Sequence, residues 1–257
     1  MYCSVDQLQE FYKSEIGGIV QTILMNHIAE AWPDVRDFRV MGCGYALPYL
    51  SYFQTCSAPA ERVIALMPKD QGVVFWPEDK KNLVLSCEED RFPIENASID
   101  RVILVHHLEG CNDLRRSIRE VWRVLKANGR VLVVVPNRLG AWAHADWSPF
   151  GHGRPFTMSQ LSLLLNDNLF EVVSHKSALF VPPIPDSPVM MRSANLIERM
   201  GRTILPFVAG VHIVEVSKRI YASADNKGGG SAVFSKTKKI LGSPVPQSFT
   251  PSQKKQS

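Results

Sequence analysis

Arg39–Leu50 reads RVMGCGYALPYL: a short apolar run, a G-x-G step and then a stretch that turns helical. A strand running through a glycine turn into a helix is where a doubly wound α/β protein seats a nucleotide-type ligand. Gly42 and Gly44 carry no side chains, so backbone N–H groups can approach a ligand closely. The third glycine of such a loop is replaced by Ala46. Two glycines in a strand–turn–helix are also common in any α/β protein, so the segment decides the fold class before it decides a ligand.

On the N-terminal side, Val5–Lys13 and Ile16–Ala31 read as two helices jointed at Gly17-Gly18. Leu8, Phe11 and Tyr12 share one face of the first, and Trp32-Pro33 ends the second. On the C-terminal side, strands are expected at Phe38–Gly42, Arg62–Met67, Asn82–Ser86, Ile99–His106, Arg130–Pro136, Phe170–Ser174 and Val211–Tyr221. The VILV run at 102–105 has the continuous apolar character of a central parallel strand. Helices are expected at Asp113–Ala127, stopped by Asn128-Gly129, at Thr157–Asn166 with Thr157 as N-cap, and at Asn195–Ile204. Strands alternating with helices imply βαβ units and a parallel sheet. Right-handed crossovers then place a ligand at the carboxyl ends of the strands.

At 257 residues, the chain suits one large α/β domain, and 45% hydrophobic against 21% charged residues is an ordinary globular balance. No apolar run approaches the ~20 residues of a membrane span, and the charged start is unlike a signal peptide. Cys3, Cys43, Cys56, Cys87 and Cys111 are scattered without a C-x-x-C pair, which suits reduced thiols in a cytoplasmic protein and neither a disulfide framework nor a metal site. From Ser223 onward, six lysines against one acid give that tail +5, so the remainder of a chain whose net charge is +4 carries −1. A near-neutral body gives no reason to expect nucleic acid as a partner. Residues 223–257 read as a disordered basic tail, and an anionic partner for it stays open.

DRFPIENASIDRVILVHHLEG at 90–110 and LRRSIREVWRVLKANGRVLVVVPN at 114–137 carry a resemblance. Phe92-Pro93-Ile94, the polar run into Ser98-Ile99-Asp100 and the helix end from Arg123 to Gly129 resemble class I S-adenosylmethionine-dependent methyltransferases of the "methyltransferase 11" type. Phe11-Tyr12, Met41–Leu50, Pro136–Ala143 and Pro149–Phe156 resemble a narrower bacterial group named by likeness to methyltransferases. The resemblance implies an α/β fold with a doubly wound, mainly parallel, seven-stranded Rossmann-like sheet and an antiparallel last strand. It spans 38–222, with helices at 1–37 packed on that core. It implies S-adenosyl-L-methionine as cofactor and methyl transfer to an unknown small-molecule substrate. A cofactor-degenerate binding or scaffolding protein is the alternative, and a dinucleotide ligand stands last because the first loop lacks G-x-G-x-x-G.

Carried over residue by residue, the resemblance puts the cofactor on Gly42, Cys43, Gly44, Tyr45, Met67, Pro68, Glu88, Glu89 and His106. Two departures stand out. Val40 replaces an acid two residues before the first glycine, and Met67 replaces the acid that takes both ribose hydroxyls. A hydrogen bond to a charged group contributes about 1.5–3 kcal/mol, so losing one or two weakens binding roughly tenfold to several-thousandfold. His106 and His107, ending strand four, are the candidate catalytic bases, with packing as the other reading. Asn137, Arg138, Trp142 and Arg154, in the loop after strand five, are expected to hold substrate or else to anchor that loop.

Overall fold

A computed structural model describes residues 2–78, 80–184, 193, 196–201 and 208–220. Seven strands form one sheet: β1 Arg39–Gly44, β2 Arg62–Pro68, β3 Val84–Cys87, β4 Ile99–Val105, β5 Leu125–Pro136, β6 Phe170–Ala178 and β7 Val211–Lys218. Their spatial order is β3-β2-β1-β4-β5-β7-β6. The pairs from β3 through β5 are parallel, whereas β7 slots antiparallel between β5 and β6. This is the doubly wound, mainly parallel sheet with an antiparallel last strand that the sequence implied.

Helices flank it, among them α1 Val5–Lys13, α2 Glu15–Ala31, α3 Leu47–Thr55, α4 Leu114–Val124 and α5 Met158–Asp167. Ser4 and Gln7 close a capping box on α1, and Thr157 with Gln160 closes one on α5. On β4 alternate side chains enter opposite cores. Ile103 and Val105 pack with α1, α2 and α3, while Val102 and Leu104 pack with α4 and α5. That two-sided burial explains the unbroken apolar run.

One boundary differs from the reading of the sequence. Helix α4 stops at Val124, and Asn128-Gly129 lies within β5. Leu125 is fully buried in extended conformation and pairs with Ile99, so tertiary pairing overrides the local helix-stop signal. Residues 196–201 are helical; the rest of the helix expected across 195–204 and the tail at 223–257 lie outside the described residues.

Candidate functional site

The carboxyl ends of β1 through β4 face the segment Tyr2–Tyr12, and the chain's own side chains fill the crevice there. Gly110 has Tyr2 where its Cβ would be, at 2.3 Å, and Gly72 has Val5 at 2.8 Å. The Tyr2 hydroxyl donates to Glu89 at 2.9 Å and lies 3.0 Å from Cys111 Sγ. Gln71 follows β2 and His106 follows β4, with β1 between those strands. The Gln71 amide donates to the His106 carbonyl at 2.9 Å, so this buried bond crosses over the end of β1. Tyr12 stacks on Tyr45 with centroids 5.6 Å apart, and its hydroxyl reaches both Tyr49 Oη at 3.0 Å and His106 Nε2 at 2.9 Å.

Both glycines of the turn have explanations that need no ligand. A Cβ on Gly42 would sit 2.7 Å from Ala46 Cβ, so this glycine lets α3 pack closely on β1. Gly44 has φ +75°, and its Cβ would lie 2.4 Å from the Val105 carbonyl. The Tyr45 N–H donates to that carbonyl at 2.9 Å, and burial pushes the Tyr45 phenol up to about 12. Cys43, Met67, Pro68 and Val40 are all buried. Glu88 is exposed and paired with Lys69 at 2.7 Å. Glu89 is taken by Tyr2 and by the N–H groups of Asn112 and Asp113, each at 2.9 Å. A polar recess of about 160 Å³ remains beside Pro68, Lys69, Glu88 and Glu89. That is smaller than the roughly 300–1,000 Å³ of ordinary small-molecule sites.

The four loop residues expected at a substrate each have partners within the fold. Asn137 donates to the Ala209 carbonyl at 2.8 Å. Arg138 is exposed and donates to the Pro155 carbonyl at 3.1 Å. Trp142 is 1% exposed, packs against Phe11 and Phe150, and donates to the Val181 carbonyl at 2.7 Å. Arg154 is exposed, and its backbone N–H donates to the Glu109 carbonyl at 2.8 Å. The loop does line a cleft of about 420 Å³ against α1, walled by Cys3, Phe11, Glu10, Asp146, Trp147 and His152. Among the described residues, no three His, Cys, Asp or Glu side chains come together as metal ligands.

The polar groups buried beneath the N-terminal segment are the least expected feature. His106 has φ +50°, a conformation uncommon for a residue with a side chain. Its Nδ1 lies 3.3 Å from Glu109, and both residues are 5% exposed or less. His106 Nδ1, both Glu109 carboxylate oxygens and Gln71 Oε1 lack an aligned hydrogen bond. Sequence reading found His106 but missed Tyr12, Tyr49, Gln71 and Glu109 as members of this cluster. The acid three residues after a histidine at a strand end was the available signal for Glu109.

His107 points away, to Ser117 Oγ at 2.8 Å, and burial lowers it to about 4. The unfolded imidazole takes a proton below about 6.5, whereas the folded one stays neutral until about 4. Stability is therefore level above pH 6.5 and falls as the pH drops from 6.5 toward 4, by on the order of 3 kcal/mol. His212, lowered to about 4 by burial and by His175, acts in the same direction. Urea melts at pH 7.5 and 4.5 should differ accordingly, and His107→Asn should flatten much of the difference.

A family model described as a methyltransferase domain, Methyltransf_11, matches residues 40–133. Among curated proteins none matches the chain. The fold is similar to an S-adenosylmethionine-dependent methyltransferase from Archaeoglobus fulgidus, with TM-score 0.56, 16% identity and coverage of 82% of this chain and 97% of that one. It is similar to another from Mesorhizobium loti, with TM-score 0.53, 12% identity and coverage of 74% and 95%. The [4+2]-cyclase SpnF is also similar, with TM-score 0.50, 17% identity and coverage of 77% and 80%. At such identities the likeness is one of fold, and a cyclase among the neighbours means the fold alone does not fix the chemistry.

Proposed function

We propose that this chain, which belongs to the class I methyltransferase family, is a small-molecule methyltransferase whose reaction chamber lies at the carboxyl edge of the sheet and is closed by its own N-terminal segment. One observation carries the reading: His106, Glu109 and Gln71 keep buried polar atoms without aligned hydrogen bonds around a residue of strained backbone. A buried polar atom left wholly unpaired costs about 1–3 kcal/mol, a cost that the 3.3 Å contact of His106 with Glu109 relieves only in part, and packing alone would favour apolar side chains there. A chamber that receives a polar ligand in another state accounts for the expense.

S-Adenosylmethionine is what the family name implies. In the closed arrangement the residues do not fit it: Gln71 bridges the crevice, Tyr2 holds Glu89, and Met67 and Val40 bring no carboxylate. Cofactor binding requires Tyr2, Gln71 and Tyr12 to move. The second reading, a cofactor-degenerate relative that binds without transfer, is favoured by the two missing acids. The reduced, mostly buried cysteines support a cytoplasmic location, and no helix among the described residues is long and apolar enough to cross a membrane.

Calorimetric titration of the full chain with S-adenosylhomocysteine tests the proposal. Heat that saturates below millimolar ligand is the expected result. Folded protein, checked by circular dichroism, that gives no heat at millimolar ligand leaves the second reading in its place.

A further inference from the structure

Tyr12 is a phenol held by the protein in a box made of its own aromatic rings. Tyr45 stacks on it, while Phe11, Tyr49 and His106 meet it edge-on. Its hydroxyl ends 2.9 Å from His106 Nε2. On the other side of that imidazole, Nδ1 faces the buried Glu109 carboxyl at 3.3 Å. Burial keeps the Tyr12 hydroxyl protonated.

The neighbours of the ring favour one arrangement of its protons. A carboxylate beside Nδ1 favours the tautomer with its hydrogen on Nδ1, which leaves Nε2 as an acceptor. Tyr12 then donates to Nε2 and accepts from the Tyr49 hydroxyl. A carboxyl, an imidazole and a hydroxyl in line are the parts of a proton-withdrawing relay. The polar groups meeting the His106 ring are Glu109 on one side and the Tyr12 hydroxyl, itself met by the Tyr49 hydroxyl, on the other. Phe150 covers its ring at 4.7 Å.

We infer that Glu109 and His106 form a proton-accepting pair, and that the place of the Tyr12 phenol is the seat of a phenolic acceptor. This rests on the transferase reading and supplies the substrate class it lacks. In the step assigned to these residues, the acceptor O–H bond breaks, the proton moves to His106 Nε2, and the electron pair stays on oxygen as a nucleophilic phenolate. The imidazolium so formed is faced by the Glu109 carboxylate. His106 touches the acceptor, whereas Glu109 is a positioning residue acting through it. The cleft between α1 and the loop after β5 lies beside this box and shares its Phe11 wall; Cys3 also lines it, and Cys3 is close enough to Glu109 that the acid, after burial, helps push its thiol up to about 11.

Two measurements on the full chain test this. Imidazole ¹⁵N NMR of the unsubstituted protein should show His106 protonated at Nδ1, with that preference lost in Glu109→Leu; an Nε2-protonated ring, or a tautomer indifferent to Glu109→Leu, overturns the pair. Tyr12→Ala opens an aryl-sized space, to be titrated with p-cresol and with toluene, which differ by the hydroxyl. About tenfold tighter binding of p-cresol is expected, the worth of one hydrogen bond. Equal binding overturns the phenol site, because filling of an apolar hole would then explain both. Should Tyr12→Ala fail to fold, the NMR result on the unsubstituted chain still decides. Neither readout uses the cofactor, so silence toward S-adenosylhomocysteine sinks the transferase reading while leaving these outcomes to stand or fall separately.

Discussion

Trp142→Ala is expected to lower stability by roughly 3–5 kcal/mol, while Arg138→Ala changes it by less than about 1 kcal/mol. Trp142 is buried at 1% exposure between Phe11 and Phe150. Truncation removes a large aromatic surface and opens a cavity. It also strips the Val181 carbonyl of its donor at 2.7 Å. Gly210 adds to the constraint, since a Cβ there would meet the indole at 2.3 Å, so the backbone has already closed on the ring. At about 2–4 °C per kcal/mol for a body of this size, the melting temperature should fall by roughly 6–20 °C. Arg138 only donates to a neighbouring carbonyl from an exposed position. Differential scanning calorimetry on the two variants separates them. A melting temperature in Trp142→Ala close to that of the unsubstituted chain would restore the substrate role implied by the resemblance and remove the packing account.

Gln71→Ala is expected to raise the apparent affinity for S-adenosylhomocysteine by roughly 5- to 100-fold. The Gln71 side chain bridges from the end of β2 to the His106 carbonyl and is buried throughout. Deleting that bond weakens the closed arrangement by about 1–3 kcal/mol. When the competent state is a minority, apparent affinity scales with its population, at about 1.4 kcal/mol per decade. The closed state has other holds, among them Tyr2 on Glu89 and Tyr12 on His106, so the gain is bounded. Calorimetry of the variant beside the unsubstituted chain measures the ratio. An unchanged or weaker affinity means that Gln71 is not a latch, and that the closure is the permanent state of the crevice.

Much of the scaffold was readable from local pattern. The VILV run at 102–105 announced a strand buried on both faces, and the two glycines at the end of β1 announced the edge where a ligand belongs. Local pattern failed where a distant partner outbid it. Asn128-Gly129 looks like a helix stop, yet Leu125 finds Ile99 in the sheet and the strand begins first. Trp142 offered two readings that sequence could not separate, because an indole suits a substrate wall and a core equally well. Its burial between Phe11 and Phe150 favours the core.

The cluster around His106 was hidden for a different reason. Gln71 and Tyr12 reach it across 35 and 94 residues of chain, and no periodicity links positions so far apart. Tyr12 reads as one more apolar position on an amphipathic helix, since a phenol serves a core face as well as a polar network.

The amino-acid sequence by itself determined the alternation of strands and helices, the sheet that follows from it, and the likeness of residues 40–133 to a methyltransferase domain. These depend on side-chain periods and turn residues that act over a few positions. Only the tertiary structure decided what occupies the crevice. Whether a glycine turn cradles a ligand or a neighbouring helix depends on which distant side chains arrive there, and in this chain Tyr2, Tyr12 and Gln71 arrive first.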